Sequence, residues 1–432
     1  MRRRVAIALA AGVVFGAPPA GAAEKAIWGP AKLPNGVSAF PVYRDLGVDT
    51  IQFGLSFAST APTRPTRPGD PSDPAYRWPA ELDTTIAEAR ANGIAVALLV
   101  TNSPAWSNGG RSEIHAPDPV AFGDFMAAAS RRYPSVRRWM VWGEPNRADR
   151  FLPNREDSPV GPRAYAPVLD ASYVSLKGVS RRNIVIGGMT WTGGDVKPVA
   201  FLDLLRLPNG RRPRLDWFGH NPFPFRFPNL RELPVGGGFR DISDLDTFGG
   251  QLRRAYGRRT KFWLSEFVVL SDRPSNEFKL FVSRAAQARW LAASYGIADS
   301  LDSVAGLGWL SLLDEPDRRL SSNWGLLTSS GARKPAYGAY RAAPSERFRP
   351  RVRAPARVRP GRRLVLRVRP RISGRVTVEV HHGKLRSRRR IRFVKVSTKR
   401  IVIRLPALRR GRVRVVVRAR RAPEVRRTIR IK

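Results

Sequence analysis

The 432-residue chain has no cysteine, which excludes disulfides, thiolate metal centres and a cysteine nucleophile. Histidine is almost as scarce. His115, His220, His381 and His382 are the whole set, so a multi-histidine centre is not expected and neither metal nor cofactor is called for. Beyond residue 23 no stretch has 18 consecutive apolar residues, and no membrane-spanning helix is expected there. Acids are also in short supply: 34 Asp and Glu stand against 77 Lys and Arg, a formal net charge of +43.

That charge is unevenly placed. Residues 347–432 hold 33 Lys and Arg against two acids, Glu379 and Glu424, leaving 44 basic and 32 acidic residues for the first 346 positions. The step marks a domain boundary near Ala343–Pro350. At the other end, Arg2–Arg4 precede an apolar stretch, Val5–Ala17, and a small-residue run, Ala20–Ala23. This is the anatomy of a secretory signal peptide. Residues 1–23 are therefore expected to be a signal, 24–343 a first folded domain and 344–432 a second. The mature protein is expected to be secreted or associated with the cell envelope. Apolar content of 42% and 11 tryptophans supply a large core.

Within residues 24–343, short apolar runs alternate with helical patterns. The strands are Ala26–Gly29, Thr50–Phe57, Ala95–Thr101, Arg138–Gly143, Ile184–Met189, Leu215–His220, Phe262–Phe267 and Val304–Leu312. Each is followed by a helical segment, the second by Glu81–Ala91, where Leu82, Ile86 and Ala89 share one face and Asn92-Gly93 stops it. Eight such pairs point to a (β/α)8 TIM barrel. An open doubly wound sheet is the alternative, but no glycine-rich phosphate loop follows the first strand. The strand-to-helix loops are the long ones, so long loops gather where such barrels carry chemistry. The tail alternates with period two at Val376–Val380, Ile401–Leu405 and Val413–Val417, as in a small antiparallel β-sandwich of immunoglobulin-like type.

Two carboxylates end dry strands. Glu144 follows Trp139-Met140-Val141-Trp142-Gly143 and precedes Pro145, while Glu266 closes Phe262-Trp263-Leu264-Ser265. An unpaired buried charge is costly, so each is at a rim, paired or used. Either glutamate alone is as readily a paired structural acid. At matching ends of strands four and seven, however, they converge across a barrel mouth, as glycoside hydrolysis requires of its acid and its ionised partner.

"VWGEPN" around Glu144 resembles the acid/base motif of clan A glycoside hydrolases, usually Trp-Asn-Glu-Pro-Asn, and "FWLSEF" around Glu266 resembles their nucleophile motif. Ser103-Pro104-Ala105-Trp106 and "KPAY" at 334–337 are similar to segments of family 39 and its relatives, and His220-Asn221 to the region after strand six. The resemblance, nearest to the family 39 and family 5 (cellulase-like) group, spans about Ile27–Arg341. It implies a retaining β-glycosidase or glycanase acting on a carbohydrate. Glu144 would be acid/base and Glu266 nucleophile, their carboxyls about 5–5.5 Å apart. It also implies substrate contacts from His220, Asn221, Trp106, Trp309 and Asn102, with Trp309 as a sugar-stacking platform. Gly143 departs from the motif: the usual asparagine there meets the sugar's 2-hydroxyl. Another loop supplies that donor (Asn102 and Asn221 are candidates), or the substrate differs, or activity is weak or lost. The last case is a non-catalytic, polysaccharide-binding barrel. The basic tail suits an anionic cell-envelope polymer. Nucleic acid would also be attracted by such charge, but the export signal argues against it as the natural partner. With only Phe348 and Phe393 as aromatics, base or sugar stacking is not the expected mode.

Overall fold

Strand β1 (Glu24–Trp28) pairs in parallel with both β2 (Thr50–Ser56) and β8 (Val304–Leu310), so the sheet has no free edge. Between them run β3 (Ala95–Thr101), β4 (Arg138–Val141), β5 (Ile184–Trp191), β6 (Trp217–Asn221) and β7 (Lys261–Phe267), each paired only with its neighbours in a closed parallel barrel. The outer ring consists of α1 (Phe40–Leu46), α2 (Ala80–Ala91), α3 (Pro119–Arg132), α4 (Val160–Val179), α5 (Pro198–Leu204), α6 (Leu245–Tyr256), α7 (Arg284–Ser300) and α8 (Pro335–Ala342). The computed structural model describes residues 23–315, 322–359, 362–382, 385–404 and 411–431. The expected signal peptide lies outside them except for Ala23.

Alternation divides each strand between two cores. Ala26, Ala97, Met140, Ile186, Met189 and Trp263 fill the barrel interior. Ile27, Leu98, Trp139, Val141, Leu264 and Leu307 pack outward beneath the helices. Strand β4 stops at Val141, two residues short of the expected Gly143, and β6 runs one residue further than expected, to Asn221.

After α8 the chain forms a β-sandwich. One sheet holds β9 (Arg351–Arg353), β11 (Arg363–Arg369) and β14 (Lys399–Arg404). The other has the order β10 (Arg357–Val358), β16 (Val425–Ile431), β15 (Gly411–Ala419), β12 (Gly374–His382) and β13 (Leu385–Phe393). Leu364, Leu366 and Val368 share a core with Val376, Val378, Val380, Val413, Val415 and Val417.

The joint lies at the N-terminal ends of the barrel strands. Asp49, just before β2, accepts hydrogen bonds from Ser345 Oγ (2.8 Å), Glu346 N (3.1 Å) and Arg347 N (3.0 Å). The same carboxylate accepts Lys25 N at 3.0 Å. From the sandwich, Arg421 reaches the Asp45 carbonyl and lies 4.6 Å from the Phe348 ring centre. Hydrogen bonds to a charged group contribute about 1.5–3 kcal/mol each. Asp49→Ala is therefore expected to raise the rate of limited proteolysis within residues 344–350 at least tenfold, while the barrel stays protected. Unchanged cleavage would show that Asp49 does not hold the joint.

Candidate active site

Beyond Val141 the chain leaves the sheet in a turn that most residues disfavour. Trp142 and Glu144 have φ of 61° and 49°, a left-handed backbone that costs about 1–2 kcal/mol per non-glycine residue. Neighbouring strands hold it there. Trp142 N donates to Val100 O (2.9 Å), Glu144 N to Met189 O (3.0 Å), and Trp142 Nε1 to Arg150 O (2.9 Å). Asn146 is wholly buried. Its Oδ1 accepts Trp191 N at 2.8 Å, and its Nδ2 lies 3.0–3.1 Å from the carbonyls of Trp191, Gly193 and Val196. The residues after β4 are thus stitched to those after β5, which fixes where Glu144 points.

Glu266 stands near the end of β7 on a braced floor. Gln52 donates from Nε2 to Ser265 O (2.8 Å) and accepts Trp263 Nε1 (3.0 Å), while Trp28 Nε1 also donates to Ser265 O (3.1 Å). A Cβ on Gly308 would sit 2.1 Å from Ser265 O, so only glycine lets β8 pass this close.

Both carboxyls line one cleft of about 400 Å³, with Thr101, Asn102, Glu113, Gly143, Phe223, Phe278, Leu310 and Trp324 among its walls. A larger groove of about 510 Å³, between Leu33–Asn35 and Tyr337, contains no carboxyl. Among the described residues, no three His, Cys, Asp or Glu side chains group as a metal would need.

The two glutamates differ in environment. Glu144 is 9% exposed. Its Oε1 accepts Asn221 Nδ2 at 3.0 Å and its Oε2 accepts Arg147 Nη1 at 2.8 Å. Burial raises its pKa, and Arg147 and Asn221 oppose that rise. Glu266 is pushed up to about 8, first by burial and then by the charge of Glu144. With two donors on Glu144 and its charge facing Glu266, the proton shared by the pair rests on Glu266. Arg147 is a hub. It also bonds Asp149 (2.9 and 2.7 Å) and Glu277 (3.1 Å), and its guanidinium lies 4.7 Å from the Trp191 ring centre.

The residues expected from sequence are distributed unevenly about this cleft. Asn102 lines it. Asn221 is buried behind Glu144 and spends its amide there. His220 is fully buried, with Nδ1 2.9 Å from Thr190 Oγ1 and Nε2 3.0 Å from Arg240 O. Burial lowers its pKa to about 4, so the ring is a neutral internal strut, and it is not among the residues walling the cleft. Trp309 is likewise buried, its Nε1 donating to Trp324 O at 3.0 Å, and it is not among the residues walling the cleft. Trp106 donates to Ala61 O (2.8 Å), packs edge-on against Phe57 and has Arg64 5.3 Å from its ring centre; it is not among the residues walling the cleft. The aromatic wall is formed instead by Phe223, Phe278 and Trp324, with ring centroids 4.7 and 6.4 Å apart along the series. Sequence reading missed that wall, Arg147 and Glu277. Only Arg147 had a signal, three positions after Glu144 in the same short turn.

No protein-family model and no curated protein matches the chain. Solved structures do match. A family 39 glycoside hydrolase from the gut symbiont Bacteroides cellulosilyticus WH2 aligns with a TM-score of 0.54 at 14% identity, covering 90% of this chain and 80% of that one. A family 39 enzyme from Xanthomonas axonopodis pv. citri gives 0.53 at 14% identity, covering 89% and 92%. A monomeric β-xylosidase from Caulobacter crescentus CB15 gives 0.52 at 12% identity, covering 92% and 96%. The chain has the fold of family 39 glycoside hydrolases. Those coverages exceed what residues 24–343 supply, so the shared fold runs on into the β-sandwich.

The raised pKa of Glu266 makes stability depend on pH with a definite sign. The folded protein binds this proton up to about pH 8, whereas an unfolded glutamate releases it near 4.5. Stability therefore falls as pH rises through that window. Glu266→Gln is expected to raise the thermal midpoint by several degrees at pH 8 and to leave it almost unchanged at pH 4.5. Equal midpoints at pH 8 would place the proton elsewhere.

Proposed function

We propose that this chain is a retaining glycoside hydrolase, exported by residues 1–23, that cleaves β-glycosides or a β-glycan. The observation that carries the reading is the pair Glu144 and Glu266, set in one cleft at the ends of β4 and β7 in unequal environments. The barrel's likeness to family 39 structures, one of them a β-xylosidase, supports it.

In the first step Glu266 attacks the anomeric carbon as that carbon's bond to the leaving oxygen breaks, and Glu144 gives its proton to that oxygen. In the second, Glu144 takes a proton from water, which attacks the same carbon and releases Glu266. The resting cleft holds the opposite proton arrangement, with Glu144 paired to Arg147. Entry of substrate must move the proton to Glu144 and leave Glu266 ionised. Arg147 keeps Asp149 and Glu277 as partners when its bond to Glu144 opens. The wall of Phe223, Phe278 and Trp324 offers apolar faces to a pyranose. Asn102 is the side-chain amide on the cleft wall that takes the 2-hydroxyl role left open by Gly143, where a Cβ would meet only Leu99 and Thr101 at 3.4 and 3.9 Å. The basic sandwich binds an anionic cell-envelope polymer.

A second reading, a glycan-binding barrel without turnover, is favoured by the Arg147 pairing of Glu144. Turnover of a panel of aryl β-glycosides separates the two. Wild type is expected to hydrolyse at least one member, Glu144→Gln to lose roughly 10²–10⁴-fold, and Glu266→Gln to lose at least as much. A 2-fluoro-glycoside should label Glu266. No turnover by wild type, or equal turnover by wild type and both variants, would remove the hydrolase reading.

A further inference from the structure

Arg147 divides its donors between the two sides of the cleft. Its Nε and Nη2 meet the two oxygens of Asp149 at 2.9 and 2.7 Å, within the same short turn. Nη1 carries two N–H groups and reaches two further carboxylates, Glu144 Oε2 at 2.8 Å and Glu277 Oε1 at 3.1 Å. One nitrogen therefore joins the glutamate after β4 to a residue of the loop after β7, although β5 and β6 lie between those strands. Arg150, from the same segment as Arg147, brings its Nη2 to 3.6 Å from Glu277.

Glu277 is presented by a braced loop. Ser275 N donates to Phe278 O at 2.8 Å and Phe278 N to Ser275 Oγ at 3.0 Å, closing a tight turn with Asn276 and Glu277 at its tip. Leu270–Ser271 pairs with Phe281–Val282 at the base of the loop, and Phe278 packs on both Phe223 and Trp324 in the cleft wall. The charged groups acting on the Glu144 and Glu266 pair are Arg147 and Arg150 from one side and Glu277 from the other. Burial raises both carboxyls first. The charge of Glu144 then raises Glu266, and that of Glu277 raises each, while the two arginines and the Asn221 amide on Glu144 work the other way.

We propose that Glu277 is a positioning residue for the acid/base carboxyl: it shares Arg147 with Glu144 and keeps the guanidinium when Glu144 takes up the proton it must donate. The inference rests on the hydrolase reading above and adds to it the group that loads the acid. While Glu277 is ionised, Arg147 does not spend its whole charge on Glu144, and a second negative charge beside the pair disfavours loss of their proton. When the proton passes from Glu266 to Glu144, Arg147 gives up one of its four hydrogen bonds and the other three hold its fork in place. Arg147 stays charged throughout, and no other group gains or loses a proton. Without the charge of Glu277, Arg147 closes on Glu144 and holds it ionised, and the proton stays on Glu266, where it blocks attack.

The test is Glu277→Gln in the full chain, which keeps the shape and an acceptor oxygen and removes the charge. NMR of carboxyl-labelled glutamates, assigned with Glu144→Gln and Glu266→Gln, reads the pair without substrate. In Glu277→Gln the pair should titrate lower by roughly half a pH unit or more. Glu113→Gln removes an exposed cleft-wall charge that has no basic partner among the described residues, and should shift the pair much less. Turnover of aryl β-glycosides gives a second readout, because a poor leaving group needs the proton of Glu144 and dinitrophenolate does not. With the poor leaving group, Glu277→Gln should move the basic limb of kcat/KM to lower pH by a similar interval and lower its plateau roughly threefold or more. With the dinitrophenyl glycoside at pH 9, where the pair is ionised, it should stay within about twofold of wild type. An unchanged titration, an equal shift in Glu113→Gln, or equal losses on both leaving groups at pH 9 would overturn the proposal. If wild type turns over neither glycoside, the hydrolase reading falls by itself, and the titration still decides for or against Glu277.

Discussion

Two carboxyl groups in one dry cleft repel each other and lose hydration, and a closed barrel cannot move them apart. Strand β4 delivers Glu144 and β7 delivers Glu266 to the same mouth, and each strand is locked between neighbours. Much of what surrounds the cleft compensates for this one constraint. The left-handed backbone at Trp142 and Glu144 is tolerated because Val100, Met189 and Asn146 over-determine it. The charge of Glu144 is tolerated because Arg147 and Asn221 saturate both its oxygens. Glu266 receives no such donors among the described residues and keeps a proton instead, its pKa raised to about 8. Unequal support for two like groups gives one dry site an acid and a base.

Arg147 also shapes the field around the pair. Its planar fork meets three carboxylates, those of Glu144, Asp149 and Glu277, and its face covers Trp191. A lysine would make one of these contacts well and lose the planar geometry. The cleft wall, which holds Glu113, Glu144, Asp149, Glu266 and Glu277 with Arg150, is acidic within a chain of net charge +43. Chemistry and bulk charge therefore occupy different ends of the molecule.

How far the sequence was legible follows the same division. The barrel was readable because eight buried strands and the helices after them each keep a clear period. Glu144 and Glu266 were readable because each interrupts such a strand with a charge. The misread residues have separate physical causes. Between Leu307 and Trp309 the pairing of β8 with β7 slips in register. Trp309 stands two residues beyond Leu307 and shares its outward side in the helix-facing core, while Leu310 falls on the cleft wall. A second slip, between Gly187 and Thr190 on β5, sets His220 opposite Thr190, where its ring is enclosed by Thr190 and Arg240. Trp324 and Glu277 lie in loops, which have no period to read, and only the folded chain brings them beside Glu144.

The sandwich reverses this relation between pattern and meaning. Its alternation of valine and arginine was enough to specify strands and a core, yet it did not say which arginines would face one another. That depends on strand order: β12, β13, β15 and β16 lie side by side, while β9, β11 and β14 pair separately. Both sheets set arginine opposite arginine, Arg375 against Arg392 and Arg412 against Arg430 in one, Arg351 against Arg369 and Arg367 against Arg400 in the other, and Glu379 stands on the outer face of the five-stranded sheet. Val416 shows how the face stays intact despite this repulsion. It points outward between Glu379 and Arg426 on the flanking strands yet is only 4% exposed, so neighbouring side chains cover it, as long arginine stems can while their charged ends reach water. Apolar burial of this kind offsets part of the repulsion, while Arg390, Arg392, Arg412 and Arg414 remain exposed.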